Sequence, residues 1–133
     1  EVSVSSFVDT NVLVRHLVGD PPDMARRATA FLGSKESLYL ADLIVAETVY
    51  VLESFYEIDR SRICEAIRSL LAMESVRVID APLLLRTVAL YEGERLDFAD
   101  AYLVACAETT GVGKVASFDK AISRIPTVER IEP

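Results

Sequence analysis

Ser5-Ser6-Phe7-Val8-Asp9-Thr10-Asn11-Val12-Leu13-Val14 is the stretch on which the fold turns. Its first four residues read as a short buried strand that runs straight into Asp9. From Asn11 to Val18 the apolar residues Val12, Leu13, Leu17 and Val18 are consistent with a short helix. Gly19-Asp20-Pro21-Pro22 stops that helix, because glycine favours a helix cap and proline cannot continue one. A strand that delivers an acid directly into a helix is the opening half of a β-α unit, and the pattern recurs.

Outward from there, Asp23 is placed to cap a helix running to about Leu32, which Gly33 ends. Leu38-Tyr39-Leu40-Ala41 reads as a second strand, and Asp42 as the cap of a helix from Leu43 to about Tyr56. Asp59 or Ser61 caps the next helix, through Met73, with Ile63, Ile67, Leu70 and Leu71 at helical spacing. Val76 to Ile79 is a strand ending at Asp80. Pro82 suits the first turn of a helix to about Glu92, broken at Gly93. A helix from Phe98 to Thr110, a strand Val115-Ala116-Ser117, a short helix from Asp119 and a strand Val128 to Ile131 complete the chain.

Five short strands separated by helices predict the α/β class: a three-layer α/β/α sandwich around a mainly parallel five-stranded sheet. Right-handed crossovers place all strand C-terminal ends on one edge, where ligands bind in such sheets. Asp9, Asp80 and Asp119 each fall at or just after a strand end, so three acids are expected near one rim.

The chain has 133 residues, the size of one domain, and 1–133 is read as a single one. Such a domain buries roughly two-thirds of its unfolded surface, so no metal or disulfide is needed merely to hold a core. Hydrophobic residues make up 51% and mean hydropathy is +0.29, while 26% of residues are charged, which excludes disorder. Apolar runs fall far short of the ~20 residues that span a bilayer, and no basic-then-apolar segment opens the sequence. The sequence starts at Glu1 rather than methionine, which leaves room for a few residues ahead of it.

Fourteen basic against 21 acidic residues give a net charge of −7. A global electrostatic footprint for nucleic acid is absent, so any polyanion must be held by local arginines or bound cations. Arginine outnumbers lysine 11 to 3, and its planar fork suits phosphate or carboxylate. Cys64 and Cys106 sit in apolar helical patterns at no metal-ligand spacing; they read as buried thiols of a protein in a reducing cytoplasm. One histidine, His16, excludes a paired-histidine nuclease and the usual Cys/His zinc sites. Beside Leu17, it reads as a packed or exposed side chain.

Two further acids occupy positions unlike those of surface charges. Glu47 shares a helix face with Ile44, Val51 and, less directly, Leu43. Asp100 shares one with Leu103, Val104 and Ala107, and lies one turn after Asp97. A carboxylate facing a core needs a partner. Each acid also has an ordinary reading: Asp9, Asp97 and Asp119 as helix caps, Glu47 as the partner of a buried Arg15, Asp80 as a turn residue before Pro82. Taken together, Asp9, Glu47, Asp100 and Asp119 form a set without an equal number of basic neighbours. Clustered carboxylates repel and partly protonate. A divalent cation removes that repulsion, and all-oxygen sites suit magnesium or manganese.

Phe7-Val8-Asp9-Thr10-Asn11-Val12-Leu13-Val14 resembles the opening motif of the PIN-domain nucleases. Ala46-Glu47 is similar to the family's second acidic motif, Leu96-Asp97-Phe98-Ala99-Asp100-Ala101 to the third and Ala116-Ser117-Phe118-Asp119 to the fourth. The order and gaps fit along essentially the whole chain, and the compact length looks like that of the VapC-type ribonuclease toxins of toxin–antitoxin pairs. This resemblance implies a magnesium-dependent endoribonuclease, with manganese able to substitute. It implies Asp9 and Asp100 as principal metal ligands, Glu47 and Asp119 as completing the acidic site, and Asp97 as a supporting acid. Thr10, Asn11 and Ser117 are then placed to orient a carboxylate or a water, or simply to cap helices. An RNA substrate, a small antitoxin and a homodimer are the implied partners, with no membrane.

The chemistry agrees: a bound cation acidifies water for in-line attack on phosphorus. Without a histidine pair the 2′-hydroxyl route is disfavoured, so products carry 5′-phosphate and 3′-hydroxyl ends. Arg15, one turn beyond Asn11, is a candidate for substrate phosphate. Arg26 and Arg27 are candidates for phosphate or an antitoxin's acids, with a solvated role as the alternative for all three. Two other readings compete. A receiver-like or phosphatase-like phosphotransfer domain would use Asp80 or a second Asp where Asn11 stands. A catalytically silent interaction module would keep the fold alone.

Overall fold

A computed structural model describes residues 5–34 and 36–133. The chain divides into two compact units, Glu1–Ile79 and Asp80–Pro133. The first contains β1 (Ser5–Phe7), α1 (Thr10–Val18), α2 (Pro22–Leu32), β2 (Ser37–Tyr39), α3 (Asp42–Ser54), α4 (Arg60–Ala72) and β3 (Val76–Arg77). The second contains α5 (Ala81–Gly93), α6 (Phe98–Thr110), β4 (Lys114–Ala116), a short 3-10 helix (Lys120–Arg124) and β5 (Glu129–Ile131).

In the first unit the strands form a parallel sheet in the order β1-β2-β3, with Ser6 opposite Leu38 and Leu38 opposite Val76. Val8 N–H donates to the Tyr39 carbonyl (3.0 Å) and Leu40 N–H to the Arg77 carbonyl (2.9 Å), which extends the ladder beyond the strand ends. The chain leaves this carboxyl edge at Asp9. Gly19 ends α1 in the left-handed conformation (φ 80°) that glycine adopts without penalty. α1 packs against α2 and α3, and α3 against α4. Leu13, Leu32, Leu38, Leu52 and Ile63 are fully buried.

In the second unit β4 and β5 pair in parallel, with Val115 opposite Arg130. α5 packs on α6, and Tyr91 meets Phe98 edge-on at 5.5 Å between ring centroids. The Arg86 guanidinium grips Glu108 with two bonds of 2.8 and 2.9 Å, tying the same helices together.

The α/β class, the parallel pairing and the order of elements are as the sequence predicts. The expected five-stranded sheet is corrected: among the described residues the strands pair as three and two. Each strand has only two or three residues, so few ladder bonds exist to join them. Two caps are also corrected. Pro21 and Ala41, not Asp23 and Asp42, occupy the N-cap positions of α2 and α3. Both aspartates sit in the first turn, where the helix dipole still favours an acid. Gly93 belongs to the last turn of α5 and does not break it.

Candidate active site

Asp9 ends the run from β1 and is the N-cap of α1. Its extended backbone (φ −83°, ψ 157°) lets Oδ1 accept from Thr10 N–H at 2.9 Å while the side chain stays exposed. Thr10 is buried, and its hydroxyl donates to Glu47 Oε1 on α3. The first unit thus links the first acid's turn to the second acid through one side chain.

Glu47 itself is exposed, which corrects the reading of a carboxylate on a core-facing stripe. The buried stripe of α3 is Val45, Thr48, Val49 and Leu52. Leu43 is 78% exposed, and Tyr50 67%, so the apolar face on which Glu47 sits is an outer one. Arg15 does not pair with Glu47; its side chain makes no hydrogen bond or ion pair among the described residues, and its Nε is buried.

In the second unit Asp97 is the N-cap of α6, yet its side chain makes no capping bond. Asp100, in the first turn of that helix, is half-buried. Asp119 precedes the 3-10 helix and accepts from Ala121 N–H at 2.9 Å. One carboxylate oxygen from each of Asp97, Asp100 and Asp119 lies within 4.8 Å of the others. The cap reading therefore holds for Asp9 and Asp119 in part, and gives way at Asp97 to a place among the acids.

This crowding shows in the protonation of Asp100. Burial, the hydrogen bond to Asp119 and the charges of Asp119 and Asp97 push its carboxyl up from 3.8 to about 6. Asp119 is held below the usual range by the Ala121 N–H, the bond with Asp100 and the charges of Arg124 and Arg130. The donor set fits a small hard cation: all-oxygen, anionic, and gathered within 4.8 Å.

Ser117 supports this group, its Oγ accepting from Asp119 N–H at 3.0 Å. Arg130 holds the same turn, donating to the Ser117 carbonyl (2.9 Å) and to Ser123 Oγ (2.7 Å). Sequence reasoning missed Arg130, and no local signal marks it, since these partners lie 13 and 7 positions away. Asn11 lines a cavity with Arg15 and Arg27. Arg26 instead meets Asp23 at the surface, 3.5 Å away. His16 is packed, its Nδ1 2.8 Å from Thr29 Oγ1, and burial lowers its pKa. Asp80 accepts from Leu83 N–H at 3.0 Å as the cap of α5. Cys64 is buried and Cys106 half-buried, and neither is in a disulfide.

Parallel strands that hand the chain to Asp9 in the first unit and toward Asp119 in the second, with a cation-sized acidic cluster inside the second unit, define a class of acidic-site α/β proteins. The PIN-domain family model matches residues 6–128, and the chain belongs to that family. It is 27% identical over 122 residues to the VapC ribonuclease of Aquifex aeolicus (strain VF5), a span of 90% of either chain. The receiver-like and phosphatase-like readings lose their footing here, since the family match runs through all four acidic motifs and Asp80 is engaged as a cap.

Proposed function

We propose that the chain is a magnesium-dependent endoribonuclease and the toxin component of a toxin–antitoxin pair. The observation that carries this reading is the convergence of Asp97, Asp100 and Asp119 within 4.8 Å. The likeness to a protein named as a VapC ribonuclease supports RNA as the substrate class. Asp100 and Asp119 would hold the cation with Asp9 and Glu47, and Asp97 would support them. The order of the four motifs and a family match that runs from residue 6 to residue 128 favour one domain and one centre. Bound magnesium, or manganese in its place, supplies charge neutralisation on phosphate oxygens and acidifies water.

The chain's own residues do the positioning. Thr10 fixes Glu47 by a hydroxyl bond, Ser117 fixes the Asp119 backbone, and Arg15 offers an uncompensated guanidinium to substrate phosphate. Asp100, whose carboxyl is raised to about 6 by burial and its acidic neighbours, would hold the cation in its ionised form.

A homodimer and an antitoxin are proposed as partners. The exposed apolar side chains Phe7, Leu43, Tyr50, Phe55 and Ile79 support such surfaces. No described helix is long and apolar enough to cross a membrane, and two cysteines outside any disulfide suit the cytoplasm.

Incubation of the full chain with total RNA and magnesium, with mapping of new ends, tests the proposal. Fragments with 5′-phosphate ends are expected from the native sequence and none from Asp9→Asn or Asp100→Asn. Wild-type rates in Asp100→Asn beside a dead Asp97→Asn would reverse the roles of those two acids.

A further inference from the structure

We propose that the cavity between α1 and α2 is a nucleotide subsite, with Arg15 and Arg27 on a phosphate and Met24 and Phe31 against a base. The inference rests on the ribonuclease reading and deepens it by assigning a place where the strand is gripped. The cavity measures about 400 Å³ and lies wholly in the first unit, within the range of small-ligand sites. Val12 and Ala28 contribute to its apolar lining, and Met24 and Phe31 are each 42% exposed.

Its cations are uncompensated. Arg15 Nε is buried without a hydrogen-bond partner, and a desolvated N–H in that condition favours an incoming anionic acceptor. Arg27 forms no ion pair among the described residues, whereas adjacent Arg26 is matched by Asp23. In a chain of net charge −7, two free guanidinium groups on one cavity are a local reversal of sign. A phosphate satisfies their fork geometry, and a ring or thioether accepts the flat face of any base.

Position favours RNA over an acidic peptide, which would also satisfy the arginines. Asn11 lines the cavity and follows Asp9 by two residues on the first turn of α1. The cavity thus opens on the same helix turn that Asp9 caps, on the path that the ribonuclease reading gives to a nucleotide flanking the scissile phosphate. An acidic partner segment that blocks the site competes for the same spot, and the poly-glutamate arm of the test separates the two.

The test uses the full chain carrying Asp100→Asn, with magnesium, so that RNA stays intact. Arg27→Ala and Phe31→Ala are added singly, and Kd is measured for a short single-stranded RNA. Each is expected to weaken binding on the order of tenfold. Arg27→Ala should also lower the salt slope by about 0.7, the loss of one phosphate contact. Phe31→Ala should bind an intact RNA and an RNA with one abasic nucleotide at the gripped position equally, while the Phe31 chain prefers the intact strand. Unchanged RNA affinity in both variants overturns the subsite. So does a loss confined to a poly-glutamate peptide, which would make the cavity a protein-docking site. If the native chain still cleaves RNA in an Asp100-dependent way, that failure touches the subsite alone. If it cleaves no RNA, the proposed function falls with it.

Discussion

The hydroxyl of Thr10, buried at the start of α1, donates to Oε1 of Glu47 on α3, 37 positions along the chain. Two acids of separate motifs are thereby tied to the same pair of packed helices: Asp9 caps α1 at the residue before Thr10, and Glu47 takes its orientation from it.

Thr10→Val keeps the shape and removes the donor. Glu47 is exposed and regains water, so the cost is that of one hydrogen bond, about 1 kcal/mol in urea unfolding. Magnesium-dependent cleavage should fall further than stability, because Glu47 loses its fixed rotamer, and Thr10→Ser should restore most of it. Equal stability and activity in Thr10→Val would show that the bond does neither job.

In chelator, Asp100 should subtract stability as pH rises from about 4 to 6, against the opposite trend set by His16 and Glu108. Asp100 has its carboxyl raised in the folded chain to about 6 from 3.8, so the folded state binds a proton that the unfolded state has released. Its ionised form is disfavoured by folding, fully so above pH 6. Asp119 shifts the other way: its contribution is present above 3.8 and is lost only below it, outside this window. Thermal melts across the range should show the native sequence losing stability relative to Asp100→Asn as pH rises. A native profile parallel to that of the variant would contradict the crowding argument.

Magnesium should raise the melting temperature at fixed ionic strength, since a bound cation relieves the repulsion among Asp97, Asp100 and Asp119 and binds only the folded state. Calcium should stabilise as well but support little cleavage, because its larger and more flexible shell aligns reacting groups less well. Asp100→Asn should melt no lower than the native chain in chelator and gain much less from either ion. An equal gain in variant and native chain would place the ion elsewhere.

Arg130→Ala removes the donors that hold the Ser117 carbonyl and Ser123 Oγ, on a side chain only 15% exposed. A loss of about 1–2 kcal/mol is expected, with a weakened magnesium response, because the turn carrying Asp119 is freed. Arg130→Lys should recover part of the stability and little of the metal response, a single ammonium being unable to copy the fork. Calorimetric magnesium titration of both variants separates a positioning role from general loosening.

The local chemistry of the sequence carried much of this. The helix Phe98–Thr110 is read at its observed bounds, since Asp97 occupies the N-cap position without a capping bond and Gly111 follows in the left-handed conformation. The acids after β1 and β4 were legible for a similar reason: a strand ends where its apolar run ends, and the next residue is fixed by covalent succession.

Tertiary structure decided which way those acids face and what they meet. α3 is apolar around much of its surface, at Leu43, Ile44, Val45, Val49, Tyr50 and Val51, so its helical period carries no contrast to mark the inner face. Packing against α1 and α4 selected Val45, Thr48, Val49 and Leu52 for burial and left Glu47 outside. The meeting of Asp97 and Asp100 with Asp119, the grip of Arg130 on the Ser117 turn, and the unpaired Arg15 beside a paired Arg26 depend likewise on contacts far apart in the chain. Spacing along a helix or strand determines which residues share a face; only the neighbours brought against that face by folding determine whether it is core, solvent or site.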